Sequence, residues 1–143
     1  MAGYSGTPLP KKLGIKENFR IGLINPPDSF VPQLGKLPAN TQILSTLKAP
    51  LDLVVLFVDR ETTLAKRFLL VAEKLSVDGT LWVGWPKKSS GVKTDLSENI
   101  VRRIGLHCGL VDVKICAIDN TWSGLKFVYR VKDRKRIEEL RRG

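Results

Sequence analysis

Two adjacent lysines, Lys87 and Lys88, are the residues best placed for chemistry in this sequence of 143 residues. They follow a predicted strand and precede Ser89-Ser90-Gly91, a small hydroxyl-bearing loop ahead of a predicted helix. Ammonium and hydroxyl groups in such a loop can hold a phosphate or a carboxylate. The alternative is an exposed basic loop that only keeps the protein soluble.

Other polar residues also follow predicted strands. In an open parallel sheet the carboxyl ends of the strands share one edge, and ligands bind in the crevice outside that edge. Trp122, in a predicted hairpin turn, either covers this crevice or caps the core. The candidate ligand-binding residues that we expect to meet there are Asn25, Asp59, Lys87, Lys88, Ser89, Asp119 and Trp122.

The sequence shows none of the side-chain combinations that identify a catalytic mechanism. His107 and Cys108 are adjacent on a predicted helix, where neighbouring side chains point about 100° apart, so a catalytic pair is not expected. One histidine and two cysteines are too few for a Cys/His zinc site. In the absence of a secretion signal, Cys108 and Cys116 are expected to be buried thiols rather than a disulfide. The catalytic residues therefore stay unknown, and no metal is predicted.

The stretch from residue 51 to residue 86 supplies the central elements. Its apolar run Leu53–Val58 is typical of a parallel strand that is buried on both faces. A helix should follow, with Asp59 as its N-cap and Asp78-Gly79 as its end. Residues 80–85 then predict a second strand, which completes a β-α-β unit with parallel neighbouring strands. The apolar stripe of the helix consists of Leu64, Phe68, Val71 and Leu75.

The remaining segments predict one three-layer α/β domain. A helix should begin at Asp95-Leu96-Ser97-Glu98, which has the spacing of a capping box. Residues 125–131 alternate apolar and polar side chains except at Val128, as the edge strand of a hairpin does. We expect an N-terminal arm over residues 1–18, the domain over 19–132, and a basic tail or short helix over 133–143. Other predicted elements are strands at 19–24 and 111–118, a short helix at 30–37, and a strand or helical turn at 43–47.

The order of elements from Leu51 to Arg130 resembles the C-terminal half of class I methyltransferases. In that family a strand, a long helix, a glycine-led strand, a second helix and an antiparallel hairpin follow one another. The resemblance implies a Rossmann-like sheet, mostly parallel, with an antiparallel C-terminal hairpin.

The front of the chain departs from that family. Methyltransferases bind S-adenosylmethionine with a glycine-rich turn after the first strand and an acidic residue at the end of the second. Here Asn25-Pro26-Pro27 follows the first strand, and two prolines remove backbone donors and conformational freedom. The same residues resemble the Asn-Pro-Pro-aromatic motif of amino-group methyltransferases, but Asp28 stands at the aromatic position. We therefore predict a rigid loop, no cofactor and no specific S-adenosylmethionine binding.

Three stretches resemble a second family more closely. They are GYSGTPLPKKLGI near the N-terminus, DGTLWVGWPKK in the middle and the isolated Trp122. They resemble a family of small bacterial proteins catalogued as domain of unknown function 3052, over most of the chain. That resemblance implies the fold but no activity, substrate or catalytic residue. The segment Gly3–Thr7 lacks the spacing of a phosphate-binding loop and is expected to be a flexible arm.

Charge and hydropathy limit the possible partners. The formal net charge is +10, and residues 130–143 hold seven basic and three acidic residues. This surplus attracts anions, so nucleic acid is a possible partner, although charge that serves solubility is the favoured interpretation. No apolar run is long enough to span a bilayer and no signal segment is visible, which favours a cytoplasmic protein and excludes a membrane partner.

These observations favour a non-catalytic binding module. Its ligand would be an anionic small molecule or a protein partner at the carboxyl edge of the sheet. Two alternatives stay open: a small enzyme with acid and base residues such as Asp59 and Asp119 at that edge, and a nucleic-acid-binding protein that uses the basic C-terminal residues. The oligomeric state is not predicted.

Overall fold

A six-stranded sheet with helices on both faces forms the structure, a computed structural model that describes residues 6–143. The strands are β1 (Arg20–Ile24), β2 (Gln42–Leu44), β3 (Leu51–Phe57), β4 (Leu75–Pro86), β5 (Leu110–Ala117) and β6 (Trp122–Tyr129). The helices are α1 (Leu9–Leu13), α2 (Phe30–Leu34), α3 (Glu61–Ala72), α4 (Glu98–His107) and α5 (Val131–Arg142), and a 3₁₀ turn covers Lys88–Ser90. The segment Gly3–Thr7 lies partly outside the described residues.

The strand order is β2-β1-β3-β4-β6-β5. The first four strands are parallel, and β6 runs antiparallel to both β4 and β5. The order reverses between β1 and β3, because the chain first adds β2 on one side and later β4 on the other. At such a point the connections leave in opposite directions and a crevice opens at the carboxyl ends of the strands. The predicted fold class is confirmed.

Each face of the sheet has its own apolar core. One core lies under α3 and α4 and includes Phe68, Trp85 and Phe127. The other lies under α1 and α2 and includes Phe30 and Trp82. Trp82 and Trp85 therefore face opposite sides of β4, as expected for strand residues three positions apart.

The expected boundaries of α3 are wrong at both ends. The N-cap position is Arg60 rather than Asp59, and the backbone N–H of Glu61 donates to Oδ1 of Asp95 at 2.7 Å. The helix ends at Ala72, and Leu75 begins β4, although it continues the helical stripe in sequence. Gly79 lies within β4, where a Cβ would come 3.0 Å from the carbonyl oxygen of Asp52. Glycine is needed at this position for close backbone approach and not for a helix end.

The hairpin also differs from the prediction. Residues 122–129 form β6, which pairs with β4 on one side and β5 on the other, so β5 is the edge strand. The side chains of Leu125, Phe127 and Tyr129 are buried. Because these apolar residues stand at every second position, the sequence alternates as it would in a half-exposed edge strand. The exposed side chains Val113 and Ile115 lie on β5.

The basic C-terminal residues form α5, which is docked on the domain. The guanidinium group of Arg141 donates to the carbonyl oxygens of Leu75 and Ala72 at 2.7 and 3.3 Å, and it lies 5.6 Å from the ring centroid of Tyr129. Arg134 donates to the carbonyl oxygen of Tyr129. These two arginines are held by backbone carbonyls, so they are less available to an anionic partner than the residues of an extended basic tail would be. No helix among residues 6–143 is long and apolar enough to cross a bilayer.

Gly105 makes a testable contact between α4 and the sheet. A Cβ at this position would lie 2.1 Å from Cε1 of the Phe127 ring, which is fully buried. We expect Gly105→Ala to lower the free energy of unfolding in urea by about 1–3 kcal/mol through overpacking. This strain should exceed the gain of about 1 kcal/mol that alanine brings to an exposed helix position.

A double-mutant cycle separates the contact from helix propensity. In a Phe127→Leu background the ring is absent, so Gly105→Ala should cost much less than in the natural protein. A net stabilisation by Gly105→Ala in the natural protein would mean that α4 does not press on the ring.

Candidate functional site

The carboxyl edge, where β1, β3 and β4 end, collects most of the predicted site residues. Asn25 follows β1 directly and adopts a left-handed conformation with a φ of 54°. Asparagine tolerates this conformation better than most residues, which explains why the chain can turn here without glycine. Pro26 and Pro27 follow and have no backbone N–H to offer a ligand.

Asp119 organises the turn between β5 and β6 at the same edge. It is buried, and its Oδ1 atom accepts from the backbone N–H groups of Thr121 and Trp122, each at 2.8 Å. Its Oδ2 atom accepts from Nε2 of Gln33 on α2 at 3.1 Å. One carboxylate therefore joins the hairpin turn to α2.

Gln33 is a site residue that the sequence did not reveal. Its Oε1 atom is buried and has no hydrogen-bond partner among the described residues. A buried amide oxygen without a partner costs about 1–3 kcal/mol, so a donor that reached it would gain a hydrogen bond. Gln33 and Asp119 lie far apart in the chain, and no local sequence pattern marks their contact.

An aromatic row begins next to Asp119 and consists of Trp122, Phe57 and Phe30. The Phe57 and Trp122 rings meet edge to face with centroids 5.1 Å apart, and Phe57 meets Phe30 in the same way at 4.9 Å. Trp122 is half-buried while the other two are buried. Trp122 therefore packs on the core, as one of the two sequence interpretations expected, and leaves part of its ring exposed.

Lys87 is joined to the turn that holds Asp119 and Trp122 by a backbone hydrogen bond, whereas Lys88 and Ser89 are not. Its N–H donates to the carbonyl oxygen of Thr121 at 2.7 Å, and its own carbonyl accepts from Ser90. Burial raises the pKa of the Cys116 thiol, and nearby lysines including Lys87 oppose that shift. Lys88 and Ser89 are exposed in the 3₁₀ turn.

Asp59 lies at the end of β3 with its side chain exposed. Its carbonyl oxygen accepts from the hydroxyl of Thr94 at 2.7 Å, which holds the loop before α4 against this edge. The structure thus brings Asp119, Trp122 and Lys87 together with Gln33. Asn25 and Asp59 end the two strands on either side of the point where the strand order reverses.

A hollow of about 240 Å³ lies away from this edge, between α3 and α4 and next to His107 and Cys108. Burial raises the pKa of the Cys108 thiol, which disfavours the nucleophilic thiolate. Within residues 6–143 no three His, Cys, Asp or Glu side chains cluster as metal ligands would. Both cysteines are free thiols.

Comparison with known proteins identifies the fold. No family model and no curated protein matches the chain. Magnesium protoporphyrin IX methyltransferase from Synechocystis PCC 6803 with bound SAH matches with a TM-score of 0.57 and 10% identity, over 85% of this chain and 78% of that one. A SAM-dependent methyltransferase from Aquifex aeolicus gives 0.58 and 14%, over 82% and 85%. The fibrillarin pre-rRNA processing protein of Methanococcus jannaschii gives 0.51 and 12%, over 89% and 70%.

These likenesses correct the functional prediction. The chain shares the fold of SAM-dependent methyltransferases over four fifths or more of its length. The prediction of a non-catalytic binding module is contradicted by these likenesses, since the solved structures that share the fold are of SAM-dependent methyltransferases.

Proposed function

We propose that the chain is a methyltransferase-type enzyme that binds S-adenosylmethionine at the carboxyl edge, which replaces the expectation of no cofactor drawn from Asn25-Pro26-Pro27. The observation that carries this proposal is the reversal of strand order between β1 and β3, the position at which open α/β sheets bind ligands. Similar solved structures contain SAH or are SAM-dependent, which supports the same assignment. When bound, the sulfonium group of the donor supplies an electrophilic methyl group.

The side chains at this edge are of the chemical types needed to bind S-adenosylmethionine. The Asp59 carboxylate and the unpartnered Oε1 atom of Gln33 are acceptors for the amino and hydroxyl groups of the donor. Lys87 is a cation for its carboxylate, and Trp122 offers an apolar ring face for its adenine. Asp119 holds Gln33 and Trp122 in place and so acts as a positioning residue.

The loop after β1 fits less completely. Asn25 keeps a left-handed turn, but Pro26 and Pro27 lack the N–H groups that a glycine-rich loop presents. A hydrogen bond to a charged group contributes about 1.5–3 kcal/mol, so each missing donor weakens binding by about ten- to a hundredfold. We therefore expect weaker donor binding than a glycine-rich loop gives.

Isothermal titration with S-adenosylmethionine and S-adenosylhomocysteine, extended to millimolar ligand, tests the proposal. We expect saturable one-to-one binding, and we expect Asp59→Asn to weaken it about tenfold because a charged acceptor is lost. Asp78→Asn is the matched control, since Asp78 is also an exposed carboxylate but lies near the amino end of β4.

Two results would contradict this proposal. One is an absence of saturable binding at millimolar ligand, as the missing glycine loop suggested. The other is equal weakening by Asp59→Asn and Asp78→Asn, which would indicate a general charge effect. Gln33→Leu provides an independent check, because it removes the unpartnered acceptor and should also weaken binding.

We also propose membership of the family catalogued as domain of unknown function 3052 and a cytoplasmic location. The motifs around Pro8 and Trp82 support the family assignment. The two free thiols, Cys108 and Cys116, support a reducing compartment.

A further inference from the structure

A groove of about 510 Å³ lies between α1 and the segment that leads from α2 into β2. A backbone hydrogen bond of 3.0 Å from Asn18 to Ala39 joins the two walls. Both walls lead into the amino ends of strands, β1 and β2, so the groove lies away from the carboxyl edge. It is a second site, independent of the proposed donor site.

The groove has an apolar floor and a cationic rim. Pro10 and Ile15 are buried, whereas the rim lysines are exposed. None of the rim lysines forms an ion pair within the part of the chain that the structure describes. The floor consists of Pro8, Pro10, Ile15, Leu37 and Pro38, and the rim of Lys11, Lys16 and Lys36.

More positive charge lies beside the rim. The ammonium group of Lys126 reaches to 3.8 Å from the position that a Cβ of Gly14 would occupy. Burial lowers the pKa of Lys126, and repulsion from Lys114 and Lys16 lowers it further. None of these lysines forms an ion pair among the described residues, and a bound anion would relieve their mutual repulsion.

The shape and the charge together indicate the kind of ligand. A volume of about 510 Å³ is within the range of about 300–1,000 Å³ that small-molecule sites occupy. Lysine binds phosphate as a point charge, and three separated lysines suit more than one phosphate group. The rigid proline floor suits a flat ring that turns its face to an apolar surface.

We propose that this groove binds a nucleoside phosphate, with the base on the proline floor and the phosphates among Lys11, Lys16 and Lys36. Neither part of the ligand is sufficient alone. The ring without phosphate leaves the lysines unpaired, and phosphate without the ring leaves the floor exposed to water. A concave apolar floor also favours a small molecule over a nucleic acid, which would use a wide shallow basic surface.

Titration of the intact chain with ADP, adenosine, inorganic pyrophosphate and a short single-stranded RNA tests this proposal at two salt concentrations. We expect saturable one-to-one binding of ADP. Adenosine and pyrophosphate should each bind at least about tenfold more weakly, because each lacks one half of the recognition. S-adenosylmethionine should not displace ADP, since the two sites are separate.

Matched lysine variants locate the site. Lys16→Ala/Lys36→Ala removes two rim cations and should weaken ADP binding about tenfold or more. Lys66→Ala/Lys74→Ala removes the same charge from exposed positions on and just after α3, on the other face of the sheet, and should leave ADP binding unchanged. All four residues are exposed, so both variants should fold, which circular dichroism checks.

Three outcomes would overturn the proposal. Equal binding of ADP and pyrophosphate would show that charge alone is recognised. Equal losses in the two lysine variants would place binding outside the groove. RNA binding that depends on Lys16 and Lys36, without ADP binding, would assign this surface to nucleic acid instead.

Discussion

Phe68→Ala is expected to lower the free energy of unfolding by about 3–5 kcal/mol, as measured by urea denaturation. The Phe68 side chain is fully buried on the inner face of α3. Its ring meets that of Phe127 edge to face with centroids 5.1 Å apart, which adds a directional contact to the apolar burial. Truncation would leave a cavity between the helix and the sheet that the rigid β-strands cannot collapse to fill.

Leu70→Ala is the control for this prediction. Leu70 lies on the same helix, but its side chain is 63% exposed, so its loss should change stability by less than about 0.5 kcal/mol. A loss below about 1 kcal/mol for Phe68→Ala would mean that the helix presents a different face to the sheet.

Trp82→Ala should have a comparable effect on the opposite face of the sheet. Trp82 is fully buried under α1, and its indole N–H donates to the carbonyl oxygen of Leu13 at 2.9 Å. The substitution creates a cavity and leaves a carbonyl without its donor, so we expect a loss of about 3–5 kcal/mol. Trp82→Phe keeps most of the volume and should lose about 1–3 kcal/mol, mainly from the unpaired carbonyl.

Thermal and urea denaturation measure these losses. Val113→Ala is a control on the same sheet, because Val113 is 54% exposed on the edge strand β5. If Trp82→Phe were as stable as the natural protein, the hydrogen bond to Leu13 would not fix α1 to the sheet.

The sequence was sufficient to predict the central architecture. Two local patterns predicted it: the apolar run that forms β3, and the stripe of Leu64, Phe68 and Val71 on α3. Each pattern extends over several residues, which makes the prediction reliable. The end of α3 was mispredicted because Leu75 satisfies both the helical period and the start of a strand. Only the pairing of Leu75 with Leu51 in the sheet decides between the two, and that pairing is not local.

The candidate site was also predicted only in part from the sequence. Asp119, Lys87 and Trp122 could be grouped from the sequence because parallel strands end at a common edge. Gln33 could not, since its contact with Asp119 depends on how α2 crosses the sheet. Lys88 and Ser89 were included because they follow Lys87 in sequence, whereas the 3₁₀ turn leaves them exposed.

The placement of positive charge was also beyond sequence reasoning. The surplus in residues 130–143 was interpreted as a basic tail or a short helix, but Arg141 and Arg134 serve as caps for backbone carbonyls. The lysines around the groove are scattered in sequence from Lys11 to Lys126. They come together because Gly14, just after α1, lies next to Lys126 of β6, and this proximity was not visible in the sequence.

The unequal burial of the three tryptophans makes the protein its own optical reporter. Trp82 and Trp85 are 0% and 5% exposed, so a charged quencher in solution cannot reach their indoles. Trp122 is half-buried at the carboxyl edge, and its emission alone should respond to iodide. Occupation of that edge would shield Trp122, whereas occupation of the distant lysine groove would not. Quenching of intrinsic fluorescence therefore distinguishes the two sites without any label.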